Sequence, residues 1–548
     1  MPPIDPGAAA PPASSLAQAL ARAAAGTQGL RIFNGQGELE TQASYRELLL
    51  QARARATQLR GLARSGPVPT VVGLIAQTHW PFLVNFMACQ WAGMLPCPLP
   101  PPSVGQGIGP YARRIRAMLA AVQASALLLD DLHSPLQSHF SALETPETTE
   151  LPVVPVCALP PADETAALQP LQPDEGAYIQ FSSGTTSAPK GIEISQRAIC
   201  NNLNSILHGG LRIQAGDRAF SWLPLYHDMG LVGFFLAPVM GGVPLDLLPA
   251  QAFARRPQLW PRLMAQLQST VCFAPSFAWR LAADRTTPHE AAELQLRLRV
   301  AGVGGDVVRT DDLNRFAARF AASGFAPGQF QPSYGLAEAT LAVCMGPVHV
   351  DEEGRLACGR PLPGWQVRVV DDSGASVPAL QTGRIQIQGN ALMTGYWQGG
   401  QRQPVAPGDW FQTNDLGYLA RSGALVVTGR QQSLLVLRGR NVQAEAIETA
   451  VGAALQLPHG TVMAFQDATA ASSASWASSA SGLTVLVECA LQDEAMREQC
   501  RSIARKAVFI ACGNAADVRL VPPRTVKLTT SGKVARRSTI DQLARAHD

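Results

Sequence analysis

The sequence predicts an α/β protein in which a large N-terminal domain of β-sheets flanked by helices precedes a small α+β C-terminal domain. Apolar strand-like runs alternate with Ala/Leu/Arg-rich helical stretches as far as Thr428-Gly-Arg430, where a smaller unit begins. Because 548 residues exceed what one hydrophobic core normally supports, at least two domains are expected. We expect a flexible tail over 1–22, an N-terminal domain over 23–430 and a C-terminal domain over 431–548.

Short apolar runs and longer helix-forming stretches define the elements of the N-terminal domain. The predicted strands are Val71–Ala76, Ala126–Asp130, Ala177–Phe181 and Thr270–Ala274. The predicted helices are Tyr45–Leu59, Arg113–Ala124 and Gln258–Gln268. The apolar stretch from Pro81 to Pro100 predicts a buried helix that enters a Pro-rich loop, Pro98-Leu-Pro-Pro-Pro102.

The C-terminal part has shorter elements. Gln366 to Gly389 is richer in strands and turns, and beyond it a strand over Leu434–Leu437 and a helix over Ala444–Leu455 are predicted. Ala468–Gly482 consists almost entirely of Ala and Ser. Such a segment cannot bury enough apolar surface to order itself, so it is predicted as a mobile surface loop.

Composition excludes several functional classes. A hydrophobic content of 47% with 16% charged residues is typical of a soluble globular protein, and a net charge of +3 gives no electrostatic case for binding nucleic acid or an anionic membrane.

The ten cysteines include no Cys-x2-Cys pair, which argues against structural zinc and favours reduced thiols in the cytosol. Met1 to Ser15 lacks the pattern of a secretory signal, and the run from Pro81 to Pro100 is too short to span a membrane. A cytoplasmic protein without an integral membrane segment is expected.

The segment from Tyr178 to Gly191 is the most informative in the chain. An apolar run stops at six consecutive small residues, Ser182 to Ser187, followed by Pro189 and Lys190. Small residues let backbone N–H groups point toward an anion, hydroxyls add donors and the lysine adds charge, so a triphosphate site is predicted. A P-loop requires lysine directly after glycine and before Ser or Thr, whereas Lys190 precedes Gly191. That class is excluded, and an ordinary solvated loop stays open as the alternative.

Four further segments carry candidate chemistry. Ser221 to Gly230 places His227 after an apolar run, and Pro332 to Glu338 presents Tyr334 for stacking and Glu338 as a hard oxygen ligand for Mg²⁺. Trp410 to Tyr418 places Asp415 where a carboxylate can accept both hydroxyls of a ribose, and Lys527 to Lys533 is a small-residue loop carrying a lysine. Taken singly, each has an ordinary alternative: a local hydrogen bond, a strand-to-helix turn, an Asn-Asp turn and an exposed tail.

Together with the phosphate loop, these motifs resemble the adenylate-forming superfamily of acyl-CoA synthetases, luciferases and peptide-synthetase adenylation domains. Within it the chain is most similar to the fatty-acyl-AMP ligases, which load acyl carrier proteins. The closer similarity rests on Pro98-Leu-Pro-Pro-Pro102, Gln180-Phe-Ser-Ser-Gly184, Leu225-Tyr-His-Asp-Met-Gly230, Tyr334-Gly-Leu-Ala-Glu-Ala-Thr-Leu341 and Arg438-Gly-Arg-Asn441. It covers nearly everything from about residue 25 onward and implies the adenylate-forming enzyme fold, with a mobile C-terminal domain.

The resemblance implies an ATP site assembled from several motifs. It assigns the β- and γ-phosphates to the loop that ends at Lys190, adenine stacking to Tyr334, Mg²⁺ to Glu338, and ribose to Asp415 and Arg430. The phosphate-loop residues and the remaining nucleotide contacts that it implies are Ser182, Ser183, Gly184, Thr185, Thr186, Gly304, Gly305, Asp306 and Gly335.

The resemblance also implies the acyl site and the catalytic groups. His227 matches a residue beside the acyl carboxylate, and Pro275, Ser276 and Phe277 match one wall of the acyl pocket. Lys533 corresponds to the catalytic lysine that bridges the carboxylate and the α-phosphate, with Lys190 and His227 assisting. The implied chemistry is in-line attack of a carboxylate on the α-phosphorus of ATP, which gives acyl-AMP and pyrophosphate.

In the second step that the resemblance implies, a thiol attacks acyl-AMP after the small domain rotates about a hinge. Gln432 occupies the hinge position, where the family usually carries Asp or Lys. Fatty-acyl-AMP ligases usually carry an insertion after the Tyr-Gly-Leu-Ala-Glu motif, yet Leu341 to Cys358 holds only a short segment. The expected acceptor is the phosphopantetheine thiol of an acyl carrier protein. The alternatives are an acyl-CoA synthetase that uses CoA and a non-catalytic homologue, against which intact Lys190, Glu338, Asp415 and Lys533 argue.

Overall fold

The computed structural model describes most of the chain and divides it into two compact units. The described residues are 12–64, 68–102, 107–141, 151–163, 165–181, 189–306, 308–351, 354–437, 440–458, 460–466, 482–528 and 534–545. Unit 1 comprises Met1–Ser182, Ala188–Gln366 and Gln388–Trp410; unit 2 comprises Ser183–Ser187, Val367–Ile387 and Phe411–Asp548.

The largest sheet lies in unit 1 and has nine strands among the described residues. In spatial order the strands are Arg360–Pro361, Ala342–Met345, Phe330–Gly335, Val300–Val303, Val271–Ala274, Ala219–Ser221, Leu245–Leu247, Gly29–Phe33 and Leu39–Ser44. The central strands run parallel, and antiparallel strands flank both edges. Because the carboxyl ends of parallel strands share one edge, the loops that follow them are brought together there.

A second sheet of unit 1 has four parallel strands within the described residues. In spatial order they are Leu95–Leu99, Val71–Ile75, Ala126–Leu129 and Val153–Pro155. Val71–Ile75 is buried along its whole length, as expected for a strand covered on both faces. Gly73 allows close packing there, since a Cβ at this position would lie 2.5 Å from a methyl group of Leu119.

A third, antiparallel sheet of unit 1 carries part of the candidate site. Its described strands are Gln401–Pro404, Gly395–Gln398, Gly191–Ser195 and Gly176–Phe181 in spatial order. A buried carboxylate, Glu193, holds the first three together: it accepts hydrogen bonds from Arg402 (2.8 and 3.0 Å), Trp397 (2.7 Å) and Thr394 (2.8 Å). Burial alone would raise the pKa of Glu193, but these donors outweigh it and lower the pKa.

Helices cover the sheets of unit 1. The described α-helices are Leu16–Ala23, Tyr45–Leu59, Trp80–Ala92, Ile108–Ala121, Gln137–Ser141, Gln196–Asn204, Asp228–Leu231, Ala237–Gly241, Ala250–Arg255, Leu259–Leu267, Ser276–Arg285, Pro288–Glu293 and Thr310–Arg319. Two π-helical stretches, Ser205–Gly210 and Val232–Leu236, extend helices of this set. Among the described helices, we find none that has both the length and the apolar character required to cross a lipid bilayer.

The N-terminal helix Leu16–Ala23 corrects the expectation of a flexible tail over 1–22. Ser15 caps it by accepting a hydrogen bond from the Gln18 N–H, and its Leu16 N–H donates to the buried Gln196 side chain (2.9 Å). Leu16 and Leu20 are almost fully buried. Apolar residues at helical spacing therefore fix this segment to unit 1.

Unit 2 contains smaller sheets and the C-terminal helices. One described sheet has the order Trp365–Val370, Gly383–Gly389, Phe411–Leu419 and Leu425–Arg430; a hairpin pairs Leu434–Leu437 with Arg440–Gln443; a third sheet has the order Val462–Gln466, Leu483–Glu488 and Asp517–Val521. The described helices are Ala444–Ala454, Glu494–Cys512 and Arg536–Arg545. The first two pack on the last sheet through a core that includes Ile447, Val485 and Val508.

Most predicted elements agree with the structure. The four predicted strands appear with ends within one residue, and the helix Tyr45–Leu59 has the predicted bounds. The expected loop at Pro98 begins later, because Leu95–Leu99 forms an edge strand, where a residue without an N–H is tolerated. Of the predicted surface loop Ala468–Gly482, all but the last residue lies outside the described residues.

The two units do not coincide with the expected domains. Residues 367–387 and 411–430 belong to unit 2 together with the C-terminal residues. Their strands pair with one another in a four-stranded sheet. The boundary after residue 430 stays a prediction about which part of the chain moves.

Candidate active site

Glu338 lies in a tight turn that follows a central strand of unit 1. The strand Phe330–Gly335 leads into the 3-10 turn Ala337–Ala339, and the Glu338 carbonyl accepts a hydrogen bond from the Met393 N–H (2.8 Å). Thr340 has φ +67°, which is strained for a β-branched residue. Its hydroxyl donates to the Ala391 carbonyl (2.8 Å). The surrounding contacts therefore hold a conformation that the local sequence disfavours, as is common at functional sites.

Lys190, Tyr396 and Glu338 form a connected group. The ammonium of Lys190 lies 3.2 Å from the centre of the Tyr396 ring, and the Tyr396 hydroxyl donates to Glu338 Oε1 (3.1 Å). The register of the third sheet produces this contact, because Tyr396 pairs with Ile192 two residues beyond Lys190. One aromatic side chain therefore contacts both the predicted phosphate-binding lysine and the predicted Mg²⁺ ligand.

Burial shifts the charges of this group toward neutrality. It raises the pKa of Glu338, and the nearby Asp228 carboxylate raises it further, while the Tyr396 hydroxyl and Lys190 lower it. Burial likewise lowers the pKa of Lys190, which Glu338 partly offsets. Because two carboxylates, Glu338 and Asp228, lie close together here and Lys190 offsets only part of their charge, this part of the site is suited to binding a cation.

The loop from Tyr226 to Asp228 follows the strand Ala219–Ser221. The Gln180 side-chain amide donates to the Tyr226 carbonyl (3.0 Å), which links this loop to the strand before the phosphate loop. His227 precedes the helix Asp228–Leu231, and its ring lies 4.6 Å from that of Tyr226. The sequence-predicted His227 is thus adjacent to Asp228, whose charge acts on Glu338.

The segment predicted to face adenine lies at the ends of two parallel strands. Gly304 and Gly305 follow Val300–Val303, beside the strand that ends in Tyr334 and Gly335. Glycine is required at Gly304, since a Cβ there would lie 2.5 Å from Ser333 Oγ. Gly305 has φ +81° and faces the Met229 side chain. These positions bring the predicted adenine contacts together at the ends of neighbouring strands.

A largely apolar cavity begins at these residues. It encloses about 780 Å³ of empty space, including its open mouth. Asp228, Met229, Gly305, Tyr334 and Gly335 line it where the parallel strands end. The other lining residues are almost all apolar: Ile206, Leu207, Leu211, Ile213, Ala219, Gly233, Phe234, Ala237, Pro238, Val243, Val271, Phe273, Ser333, Leu341, Ala342 and Met345.

The residues predicted as a wall of the acyl pocket lie elsewhere. Pro275, Ser276 and Phe277 follow the strand Val271–Ala274 but are not among the residues that line this cavity. Ser276 is buried, and its hydroxyl accepts a hydrogen bond from the Arg309 N–H (3.1 Å). Val271 and Phe273, in the strand that precedes these residues, line the cavity instead. A role for Pro275 to Phe277 in acyl binding stays a prediction.

A family model described as "AMP-binding enzyme" matches residues 20–397. The chain belongs to this AMP-binding enzyme family. Together with the similar structure reported below, this match identifies the chain as an adenylate-forming enzyme that uses ATP and activates acyl groups.

Similar proteins support the same assignment. A Caulobacter vibrioides protein named as an acyl-CoA synthetase is 34% identical over 95% of this chain and 94% of its own length. The long-chain-fatty-acid–AMP ligase FadD32 of Mycolicibacterium smegmatis is 30% identical over 75% of this chain and 72% of its own. A structure from a study of fatty acyl-adenylate ligases of E. coli and L. pneumophila superposes with a TM-score of 0.86 at 33% identity, covering 97% of this chain and 99% of that one. This AMP-binding enzyme is thus an acyl-AMP ligase with the adenylate-forming fold.

Two predicted ribose contacts of this AMP-binding enzyme lie in unit 2. Asp415 and Arg430 pair across adjacent antiparallel strands, with the guanidinium Nε 3.3 Å from the carboxylate Oδ1. Asp415 is largely buried, whereas about half of Arg430 is exposed (56%). Gln432, the predicted hinge residue, lies in the exposed part of the 3-10 turn Gln431–Ser433.

Some predicted site residues lie outside the part of the chain that the structure describes. They are the phosphate-loop residues Ser182 to Thr186 and the catalytic-lysine candidate Lys533. Conversely, sequence reasoning missed Tyr396 and the cavity residue Phe234, and it assigned no role to Asp228, whose carboxylate it noted beside His227. Nothing local in Gly395-Tyr-Trp397 indicates that its tyrosine contacts Lys190 and Glu338.

Proposed function

We propose that the enzyme activates a long-chain fatty acid with ATP and transfers the acyl group to the phosphopantetheine thiol of an acyl carrier protein. The observation that supports the acid is the largely apolar cavity, whose few polar lining residues include Asp228 and Tyr334. An alkyl chain in such a cavity gains about 0.8 kcal/mol for each buried CH₂ group. Its carboxylate then stays at the polar mouth, close to Glu338 and Lys190. A relative named as a long-chain-fatty-acid–AMP ligase agrees with this choice.

In the first half-reaction, a carboxylate oxygen attacks the α-phosphorus of ATP. A new phosphorus–oxygen bond forms, the bond to the β-phosphate breaks, and pyrophosphate leaves with that electron pair. The protein contributes position and charge rather than covalent chemistry. Lys190 with the loop Ser182 to Thr186 binds the phosphates, Tyr334 and Gly304 to Asp306 bind adenine, Asp415 and Arg430 bind ribose, and Lys533 bridges the two reacting groups.

Glu338 suits a Mg²⁺ ligand because it is a buried carboxylate close to a second carboxylate, Asp228. When bound, Mg²⁺ would neutralise phosphate charge at this place. Tyr396 then acts through its neighbours: its hydroxyl fixes the direction of the Glu338 carboxylate, and its ring holds the Lys190 ammonium.

In the second half-reaction, a thiol sulfur attacks the acyl carbonyl and AMP leaves. We propose that Gln432 is the hinge for this step. CoA is the alternative acceptor, which one observation favours: the segment between the strands Ala342–Met345 and Arg360–Pro361 is short and contains a bridge between Val350 and Leu356. This short segment lacks the insertion that fatty-acyl-AMP ligases usually carry there.

A single assay tests both parts of the proposal. Purified enzyme is incubated with ATP, Mg²⁺ and a series of fatty acids, and acyl-AMP is quantified by mass spectrometry. Equal portions then receive CoA or a phosphopantetheinylated carrier protein. Acyl transfer to the carrier and not to CoA is expected. Transfer to CoA alone would show that CoA, and not a carrier protein, is the acceptor. The absence of any acyl-AMP across the series would contradict the proposal that the substrate is a fatty acid.

A further inference from the structure

A second cluster of ligand-type side chains lies in unit 1 at the parallel four-stranded sheet. Asp130 directly follows the strand Ala126–Leu129, and His133 lies three residues further. His79 follows the neighbouring strand Val71–Ile75 and precedes the helix Trp80–Ala92. These two strands pair in parallel, so their carboxyl ends meet and bring the three side chains together. None of the three lines the apolar cavity.

The three side chains are close to one another and shielded from water. His79 Nε2 lies 2.8 Å from Asp130 Oδ2, and His133 Nδ1 lies 2.8 Å from Asp130 Oδ1. The exposed fractions of the side chains are 15% for His79, 7% for Asp130 and 4% for His133. One ligand atom of each lies within 4.8 Å of the others. The two imidazole rings are in edge contact, with centroids 5.7 Å apart.

Acceptor oxygens lie beside both ring nitrogens of His79. Its Nδ1 lies 3.1 Å from the Gln77 carbonyl oxygen, and its Nε2 faces the Asp130 carboxylate. Both neighbours only accept hydrogen bonds, whereas a neutral imidazole has a single N–H. With the Nδ1–H donated to Gln77, the lone pair of Nε2 would point at an anion. In that tautomer a metal ion bound to both Nε2 and Asp130 would satisfy both contacts, whereas the other neutral tautomer donates its Nε2–H to Asp130 and leaves the Gln77 carbonyl without a ring donor.

The surroundings of His79 match those of a metal ligand. A histidine that binds a metal usually donates its other ring N–H to a backbone carbonyl or a carboxylate, and the Gln77 carbonyl oxygen lies in the position of such an acceptor, 3.1 Å from His79 Nδ1. Asp130 presents one carboxylate oxygen to each ring, Oδ2 to His79 and Oδ1 to His133. Two imidazoles and one carboxylate are ligands that divalent zinc, cobalt and nickel prefer over magnesium or calcium.

We propose that His79, Asp130 and His133 bind one divalent transition-metal ion of the zinc class, with a fourth position left for water. The ion takes the place of the proton between His79 Nε2 and Asp130, and His133 turns its ring from the other carboxylate oxygen toward it. The ion connects the beginning of the helix Trp80–Ala92 to the end of the strand Ala126–Leu129. This role is structural and separate from the adenylating site, so it does not depend on which acid or thiol the enzyme uses.

The test is metal binding by the tag-free, full-length enzyme after treatment with a chelator. Titration with Co²⁺ is followed by visible absorption, and Zn²⁺ competes for the same site. We expect one ion per chain, an absorption of tetrahedral or five-coordinate type, and a higher melting temperature with Zn²⁺. His79→Gln and His133→Gln are expected to weaken Co²⁺ binding at least tenfold. His289→Gln is the matched control, because the side chain of His289 is 87% exposed and pairs only with Glu293 among the described residues.

Two results would overturn the proposal. One is that wild type and the His289→Gln protein bind Co²⁺ no better than the two cluster variants, which would leave hydrogen bonds alone to hold the three side chains together. The other is X-ray absorption of cobalt-loaded wild type that shows only oxygen ligands. The second measurement needs no variant, so it decides the question even if His79→Gln or His133→Gln fails to fold.

Discussion

Tyr396→Phe is the substitution that most directly tests how the adenylating site is organised. The change removes one hydroxyl, which donates to Glu338 Oε1 at 3.1 Å, and leaves the ring beneath the Lys190 ammonium. A hydrogen bond to a charged group contributes about 1.5–3 kcal/mol. Since about 1.4 kcal/mol corresponds to a tenfold change in an equilibrium constant, its loss should weaken metal-dependent ATP binding by about ten- to hundredfold.

The assay separates this effect from a general loss of activity. Mn²⁺ replaces Mg²⁺, and electron paramagnetic resonance measures its binding to the enzyme in the presence of ATP. Carboxylate-dependent ATP–pyrophosphate exchange gives the KM for the acid in parallel. For Tyr396→Phe we expect weaker Mn²⁺ binding with ATP and an unchanged KM for the acid, because the hydroxyl contacts the metal side of the site and not the cavity.

Two further variants calibrate the result. Tyr396→Leu also removes the ring beneath Lys190, and loss of a cation–π contact of about 0.5–2 kcal/mol should weaken ATP binding further. Tyr111→Phe is the matched control, since the Tyr111 hydroxyl donates to a neutral carbonyl, that of Pro100, at 3.1 Å. If Tyr396→Phe changes Mn²⁺ binding no more than Tyr111→Phe does, or raises the KM for the acid equally, the positioning role of Tyr396 is wrong.

Three other predictions concern the cavity, the catalytic lysine and a buried carboxylate. Gly233→Leu adds a side chain to the cavity wall, so exchange with long acids should fall at least tenfold while short acids still react; Gly61→Leu, where a Cβ meets nothing within 4 Å, is the control. Lys533→Ala should slow exchange by about 10²–10³-fold, and an unchanged rate would contradict the role of Lys533. Burial raises the pKa of Glu448 to about 7 from an ordinary value of 4.5, outweighing its pairing with Arg536. The unfolded chain therefore loses this proton first as pH rises, so unit 2 should lose about 2.5 kcal/mol of stability between pH 5 and 8 in denaturant titrations, and Glu448→Gln should remove that loss.

The sequence was informative wherever a local pattern decides a local structure. Val71–Ile75 is a continuous aliphatic run that only a strand buried on both faces would use, and its strand was predictable from that alone. The helix Tyr45–Leu59 begins at a capping box in which Ser44 and Glu47 exchange hydrogen bonds, and this signal is also local. The helix Leu16–Ala23 had its own signal, Ser15 before apolar residues at helical spacing, which the Pro/Ala-rich composition obscured.

The parts of the site that escaped prediction depend on distant pairing. Tyr396 reaches Lys190 and Glu338 only because its strand pairs with Gly191–Ser195, about two hundred residues earlier in the chain. The register is fixed by Glu193, which binds Trp397 and Arg402 on the paired strands. Likewise, Phe273 and not Phe277 lines the cavity, because the parallel pairing of Phe273 with Gly302 leaves room for its ring. A one-residue shift in either register would turn these side chains to the opposite face.

The residues of unit 2 on either side of the segment that contains Lys533, the proposed catalytic lysine, are held by several contacts. The loop that contains Lys533 is closed at its base, where Leu528 bridges to Val534 and the Ala535 N–H donates to the Lys527 carbonyl (2.8 Å). Arg536, next to this base, donates to the Ser433 hydroxyl (3.1 Å) in the hinge turn. Its guanidinium also binds Glu448 (2.7 Å) in the helix Ala444–Ala454. The described residues that follow this segment are therefore linked to the turn Gln431–Ser433, and if Gln432 is the hinge that we propose, they would move together with that turn. Because the anchor includes Glu448, whose pKa lies near 7, protonation at mildly acidic pH would weaken the charge that holds Arg536 without touching any group that contacts substrate.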